Sequence, residues 1–198
     1  MPPRRSKPDT SEEAGPVRAG STRAAFEVVT GSTEETQQLG EHVGRLLCAG
    51  DVVALYGELG SGKTTFVQGL ARGLQRDPET IKSPTFVLMR EYPGPVPLVH
   101  IDGYRLEGPS AVAWLDLDLV LSAGKITVIE WAERFAGLLP EPRLEVRLHH
   151  VSAARRRIAV QPVGERAKAM VAQLQTSQSK PETPETAATE QSDEISRD

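Results

Sequence analysis

From about residue 25 to residue 175, short apolar runs alternate with stretches of helical periodicity. Phe26–Thr30 is a short strand candidate. Ser32 then offers a helix N-cap with Glu35 three residues on, the spacing of a capping box. Leu39, Val43, Leu46 and Leu47 follow at i, i+4, i+7 and i+8, one face of a helix. Cys48 ends that face and is expected in the core, and Gly50 ends the helix. The run VVALY, residues 52–56, is apolar throughout and bounded by glycines, as in a strand buried on both faces. A second helix is expected from Thr64 to Gln75, with Val67, Leu70, Ala71 and Leu74 on one face. Phe86–Tyr92 and Val96–Asp102 read as strands. Pro109 suits the first turn of a helix running to about Leu121. ITVIE, residues 126–130, is another fully apolar strand. Leu144–His149 and Arg156–Val160 resemble a hairpin, and Val163–Gln175 a closing helix with Ala167, Met170, Val171 and Leu174 aligned.

This alternation predicts an α/β fold with a largely parallel sheet. Composition sets its limits. Residues 1–24 and 176–198 lack periodicity and are expected to be disordered tails around one domain at 25–175. The C-terminal tail holds two basic residues against six acidic ones, which accounts for the whole net charge of −4. The remainder is neutral, so bulk charge does not announce a nucleic-acid binder. One cysteine excludes an internal disulfide and a cysteine-based zinc cluster. No apolar run approaches the roughly 18 residues of a membrane span, and no apolar stretch follows the N-terminal charges as in a secretory signal. A cytoplasmic location is the expectation.

The chemistry enters at Gly57-Glu58-Leu59-Gly60-Ser61-Gly62-Lys63-Thr64, a match to GxxxxGK[ST]. Chance gives such a match in roughly one chain of this size in a hundred, given glycine near 7% of residues. Context strengthens it: the motif follows a buried strand and opens a helix. Gly57, Gly60 and Gly62 let the backbone curl until its N–H groups, with those of Ser61 and Thr65 nearby, point at phosphate oxygens. The helix N-terminus adds partial positive charge. Lys63 can reach the β- and γ-phosphates, and the Thr64 hydroxyl can ligate Mg²⁺. Lys63 is expected to be exposed, so that its loss spares the fold. Guanine-specific proteins of this kind read the base with an Asn-Lys-x-Asp motif. Asparagine is absent from the chain, so ATP is the expected nucleotide.

A Mg-nucleotide site also needs carboxylates, and two apolar runs end in one. LVHID ends at Asp102 and ITVIE at Glu130. In open α/β sheets the carboxyl ends of the strands face the ligand crevice, so both acids belong beside the P-loop. Ser83-Pro84-Thr85 reads either as an ordinary loop or as a switch whose Thr85 senses γ-phosphate or Mg²⁺.

Four segments occur in one order: GELGSGKTT (57–65), SPTFVL (83–88), His100-x-Asp102-x-Tyr104-Arg105 and IEWAE (129–133). Together they resemble the bacterial TsaE (YjeE) family, small ATPases needed for threonylcarbamoyladenosine modification of tRNA. The resemblance spans roughly residues 27–162. It implies a P-loop NTPase-like α/β domain of three layers with a central mixed, largely parallel sheet, which works with the TsaD and TsaB proteins and meets tRNA indirectly through their complex. The implied ATPase drives or resets that complex and is not itself the transferase. By position, Thr64 and Glu130 match the family's Mg²⁺ ligands. Asp102 matches its Walker B acid or water-positioning group, a second candidate for the metal, and Trp131 the tryptophan beside the nucleotide. Thr33 and Arg155, at the first helix start and the hairpin turn, fall where the family borders the base. GPSAVAWLD after Leu106-Glu107 departs from the acidic residues usual there, which bears on a partner surface.

Other features stay secondary. Arg155, Arg156 and Arg157 with Arg143, Arg147, His149 and His150 form a basic cluster, either a phosphate contact or a solvated hairpin face. His100 lies inside a strand, with no His or Cys partner at metal spacing. Two alternative functions remain open on sequence alone. One is a small-molecule kinase with the Arg143–Arg157 hairpin as a lid. The other is a nucleotide-dependent scaffold without turnover.

Overall fold

The computed structural model describes residues 25–106, 117 and 121–178. Seven strands form one sheet in the order β1-β7-β6-β2-β5-β4-β3. They are β1 (Phe26–Thr30), β2 (Val52–Tyr56), β3 (Met89–Tyr92), β4 (Leu98–Asp102), β5 (Ile126–Glu130), β6 (Arg143–His150) and β7 (Arg156–Val163). The sheet is mixed. β6, β2, β5 and β4 run parallel, while β1–β7, β7–β6 and β4–β3 pair antiparallel at the edges. The parallel centre is where the apolar runs lie: every residue of β4 and β5 is buried. Parallel strands pair this way when both faces are covered.

Among the described residues, α1 (Thr33–Leu46) joins β1 to β2, α2 (Lys63–Gly73) follows β2, and α3 (Glu165–Gln178) follows β7. Alternation along the strands splits the core in two. Val53, Leu55, Leu98 and Val128 join Phe66, Leu70, Leu39 and Met170 under the helices. Val52, Ala54, Val99 and Ile129 face the other way, against Leu106, Ala132 and Phe135. The helix expected from Pro109 to Leu121 falls almost wholly outside the described residues, as do residues 1–24 and 179–198. Residues 176–178, assigned from sequence to the tail, continue α3.

Helix ends follow local chemistry. The Ser32 hydroxyl accepts from the Glu35 backbone N–H at 3.0 Å, and the Glu35 carboxylate accepts from the Gly31 N–H at 2.6 Å, one residue before the position of a reciprocal box. α1 and α2 meet backbone to backbone. A Cβ on Gly69 would lie 1.9 Å from the Gln37 carbonyl, and one on Gly44 would lie 2.2 Å from the Leu70 carbonyl. Only glycine permits that approach, and it fixes α2, which carries the P-loop.

Two expectations are corrected. Cys48 is exposed rather than in the core. The helical face stops at Leu46, Leu47 is extended (ψ 144°), and Cys48 sits in the following turn beside Asp51 and Arg166. The strand expected from Phe86 begins only at Met89. The Val87 and Leu88 N–H groups both donate to the Pro84 carbonyl, at 2.9 and 2.7 Å, and Leu88 takes a left-handed φ of 64°. This turn leaves Phe86 83% exposed.

Candidate active site

The P-loop joins β2 to α2 at the carboxyl end of the parallel strands. Gly57 has φ 143°, and a Cβ there would sit 2.3 Å from the Leu148 carbonyl. Gly62, with φ 102°, is the N-cap of α2. Both need glycine. The opening N–H groups of α2 have no preceding turn to bond, so they face the crevice with the helix's positive end.

A cavity of about 450 Å³ opens here. Of the residues singled out from sequence, Gly60, Gly62, Lys63, Thr64, Thr65, Thr85, Asp102, Glu130 and Trp131 line it. Gly57 and Ser61 lie beneath. Ser61 is fully buried, and its Oγ has no hydrogen-bond partner among the described residues.

Lys63 departs from expectation: it is buried, at 4% exposure. Its Nζ donates to the Gly57 carbonyl at 2.7 Å and the Glu58 carbonyl at 3.0 Å. It also lies 4.0 Å from the centre of the Trp131 ring. Trp131 in turn packs on Tyr104 at 5.1 Å. Burial lowers the pKa of the ammonium, while Glu130, Glu133, Asp102 and Glu58 pull it back up.

Asp102 and Glu130 are neighbours across the β4–β5 register. Both are nearly buried, yet their partners differ. Glu130 Oε1 accepts from the Thr64 hydroxyl at 2.8 Å and faces His100 Nε2 at 2.9 Å. Asp102 Oδ2 accepts from the Thr85 hydroxyl at 2.5 Å and from the Ser83 hydroxyl, and its Oδ1 takes the Tyr104 N–H at 2.9 Å. Thr64 and Glu130 thus form a ready pair of hard oxygen donors, the chemistry Mg²⁺ prefers. The donor set fits that ion.

Two expected base contacts do not join this cavity. Thr33 opens α1, and Arg155 lies in the β6–β7 turn, its carbonyl accepting from the Val151 N–H. The hairpin cation that does reach the P-loop is Arg156, whose Nε lies 3.5 Å from where a Gly62 Cβ would sit. Sequence alone could not choose among three adjacent arginines, because strand register decides which one turns inward. Leu59 and Tyr104 also line the cavity without having been assigned a role. Arg143 and Arg147 are spent on Glu145, at 2.8 and 3.0 Å, and Arg147 stacks on Tyr56. Within the cluster, Arg143 and Arg147 thus share one carboxylate, and Arg157 faces Glu27 of β1 at 3.6 Å. No helix among the described residues is long and apolar enough to cross a membrane.

Comparison with known proteins gives a family and a fold. The family model described as threonylcarbamoyl adenosine biosynthesis protein TsaE matches residues 30–158. The tRNA threonylcarbamoyladenosine biosynthesis protein TsaE of Mycobacterium tuberculosis is 43% identical over 153 residues, covering 72% of this chain and 89% of that protein. The protein of the same name from Bacillus subtilis is 35% identical over 146 residues, covering 73% and 90%. The crystal structure of B. subtilis YdiB superposes with a TM-score of 0.65 at 30% identity, covering 77% of this chain and 95% of that one. With the motif, the fold and the relatives in agreement, the chain belongs to the TsaE family of threonylcarbamoyl adenosine biosynthesis proteins.

Proposed function

We propose that the protein binds and hydrolyses Mg-ATP and serves tRNA threonylcarbamoyladenosine biosynthesis through that cycle, as the ATPase partner of TsaD and TsaB in the cytoplasm. The observation that carries the reading is the convergence of Lys63, Thr64, Asp102 and Glu130 on one cavity at the P-loop. Thr64 and Glu130 would hold Mg²⁺, which supplies charge neutralisation at the β- and γ-phosphates. Lys63 exchanges the carbonyls of Gly57 and Glu58 for phosphate oxygens. The backbone N–H groups of the loop cradle the same phosphates. Asp102 orients the attacking water. Trp131 and Tyr104 wall the crevice, with Trp131 over the lysine.

A partner role is supported by what surrounds the crevice. Leu59 is 71% exposed, Phe86 83% and Tyr104 41%. Apolar side chains clustered at a site mouth are what a docking protein covers. Among the described residues Arg156 approaches the P-loop at Gly62 but no arginine lines the cavity itself, and an arginine finger is worth about 10³–10⁵ in rate in P-loop hydrolysis. The isolated protein is therefore slow, and a partner completes the site. Contact with tRNA is indirect, through that complex.

Competition binding tests the nucleotide. ATP is expected to bind more tightly than GTP, and Lys63→Ala to abolish hydrolysis. Equal or tighter GTP binding contradicts the base assignment. Binding without turnover, even with TsaD and TsaB present, would favour the scaffold alternative.

A further inference from the structure

Glu130 is held by donors that arrive from two different elements. The Thr64 hydroxyl reaches its Oε1 from the start of α2 at 2.8 Å, and His100 Nε2 reaches the same oxygen from the middle of β4 at 2.9 Å. Side chains two apart on a strand share a face. His100 therefore stands on the face of β4 that carries Asp102, deeper in the sheet than the Asp102–Glu130 register pair. His100 is fully buried. An ionised carboxylate only accepts, so Nε2 carries the hydrogen. Nδ1 is buried with no hydrogen-bond partner among the described residues. A hydrogen there would be an unsatisfied buried donor, which leaves the neutral ring with Nε2–H.

An unpartnered nitrogen is costly in a core position that an apolar side chain could fill. What the imidazole supplies in that position is one N–H, and it goes to Glu130. We propose that His100 is a positioning residue for Mg²⁺ binding, which fixes the Glu130 carboxylate toward Thr64 and apart from Asp102. The proposal rests on the Mg-ATP reading above.

The surroundings of the two carboxylates support this role. Asp102 and Glu130 are like charges directly opposite each other on neighbouring strands, an unfavourable pairing unless each is held in place. Their donors differ. Asp102 takes the Ser83 and Thr85 hydroxyls and the Tyr104 N–H, whereas Glu130 takes Thr64 and His100. Of the two donors on Glu130, Thr64 is itself a candidate ligand. His100, with Nε2 on the carboxylate and Nδ1 enclosed, is the donor that the ion does not engage. It holds Glu130 in the same direction before and after the ion arrives.

The test has two arms, both on the full chain. In the nucleotide-free protein at neutral pH, ¹⁵N NMR of the imidazole nitrogens reads the His100 tautomer, its signal assigned by loss in His100→Gln. The expected result is Nε2–H with a bare Nδ1, and a hydrogen on Nδ1 overturns the proposal. The second arm titrates Mg²⁺ against ATP binding. His100→Phe keeps a ring and removes the donor. It is expected to need about 10–100-fold more Mg²⁺ for tight binding, the usual cost of losing a group that orients a metal ligand, and to regain wild-type ATP affinity at saturating Mg²⁺. His100→Gln, whose amide nitrogen lies as many bonds from the backbone as Nε2, is expected to restore the wild-type Mg²⁺ requirement. His100→Asn, a bond shorter, is not. An unchanged requirement in the Phe variant, ATP affinity that stays low at saturating Mg²⁺, or equal requirements in the Gln and Asn variants overturns the proposal alone. The Gln and Asn variants decide the matter if the Phe variant does not fold. Wild-type protein that binds no ATP at any Mg²⁺ concentration overturns this proposal together with the nucleotide reading.

Discussion

The two halves of the crevice are built by opposite means. On one side, Thr64 meets Glu130 from a helix locked to α1 by glycines in backbone contact, with β2 and β5 buried behind it. On the other, Ser83 and Thr85 meet Asp102 from a turn that carries exposed Phe86 and Val87. Each half pairs a hydroxyl with a strand-end carboxylate, but only the first is held by core packing. A metal-binding pair benefits from rigidity, because ligand geometry must survive without the ion. A segment that responds to γ-phosphate and to a partner must be able to move, and such segments come from the least packed parts of a fold.

The sharpest way to break this contrast is at Lys63, the charge both halves share. Lys63→Ala is expected to cut hydrolysis by at least about 10²–10³, the loss typical of one preorganised charge-stabilising donor. Because Lys63 is buried against two carbonyls and Trp131, the variant should also lose about 1–3 kcal/mol of stability, the cost of a buried acceptor left unsatisfied. Denaturant unfolding measures that loss beside the rate.

The carboxylates come next, and they separate the halves. Glu130→Ala is expected to raise the Mg²⁺ concentration needed for tight ATP binding. Asp102→Ala is expected to bind Mg-ATP well and fail in turnover, by about 10²–10⁴ if it directs proton transfer. A Mg²⁺ titration of both variants decides, and identical defects would mean a shared ligand role.

Rigidity itself is tested at Gly69. A methyl group there meets the Gln37 carbonyl at 1.9 Å, so Gly69→Ala should cost about 1–3 kcal/mol through overpacking. By shifting α2 it should also raise the Mg²⁺ concentration needed for tight ATP binding. Unchanged stability would show that the glycine contact does not hold the P-loop helix.

The less packed half is probed at Phe86, with the mildest effect on the isolated protein. Phe86→Ser leaves hydrolysis by the protein alone unchanged and weakens partner stimulation. Covering such a ring is worth about 1.5–3 kcal/mol, so partner affinity should fall about tenfold or more. Titrating the partners against the hydrolysis rate reads it directly.

The rigid half was legible in the sequence for the same reason that it is rigid. VVALY, LVHID and ITVIE read as strands because both of their faces are buried, and a buried strand ending in an acid points to a site. The P-loop glycines read because their backbone geometry admits little else. The less packed half was legible only as residues. Phe86 and Val87 carry strand-like side chains, yet the turn closed on Pro84 overrides that propensity, and nothing local shows that the Pro84 carbonyl will accept two N–H groups. Cys48 misled because helical spacing continues on paper beyond the residue where the helix ends. Arg156, rather than Arg155, reaches Gly62 because β6–β7 register fixes the inward residue, and register is a long-range property.

The claim that matters most is that one half of the site waits for a partner. Steady-state ATP hydrolysis by the protein alone, compared with hydrolysis in the presence of TsaD and TsaB, tests it directly. The account predicts slow turnover alone, faster turnover in the complex, and a change in ATP affinity that matches the effect of ATP on partner affinity. Equal rates, with ATP affinity unchanged by the partners, would contradict it.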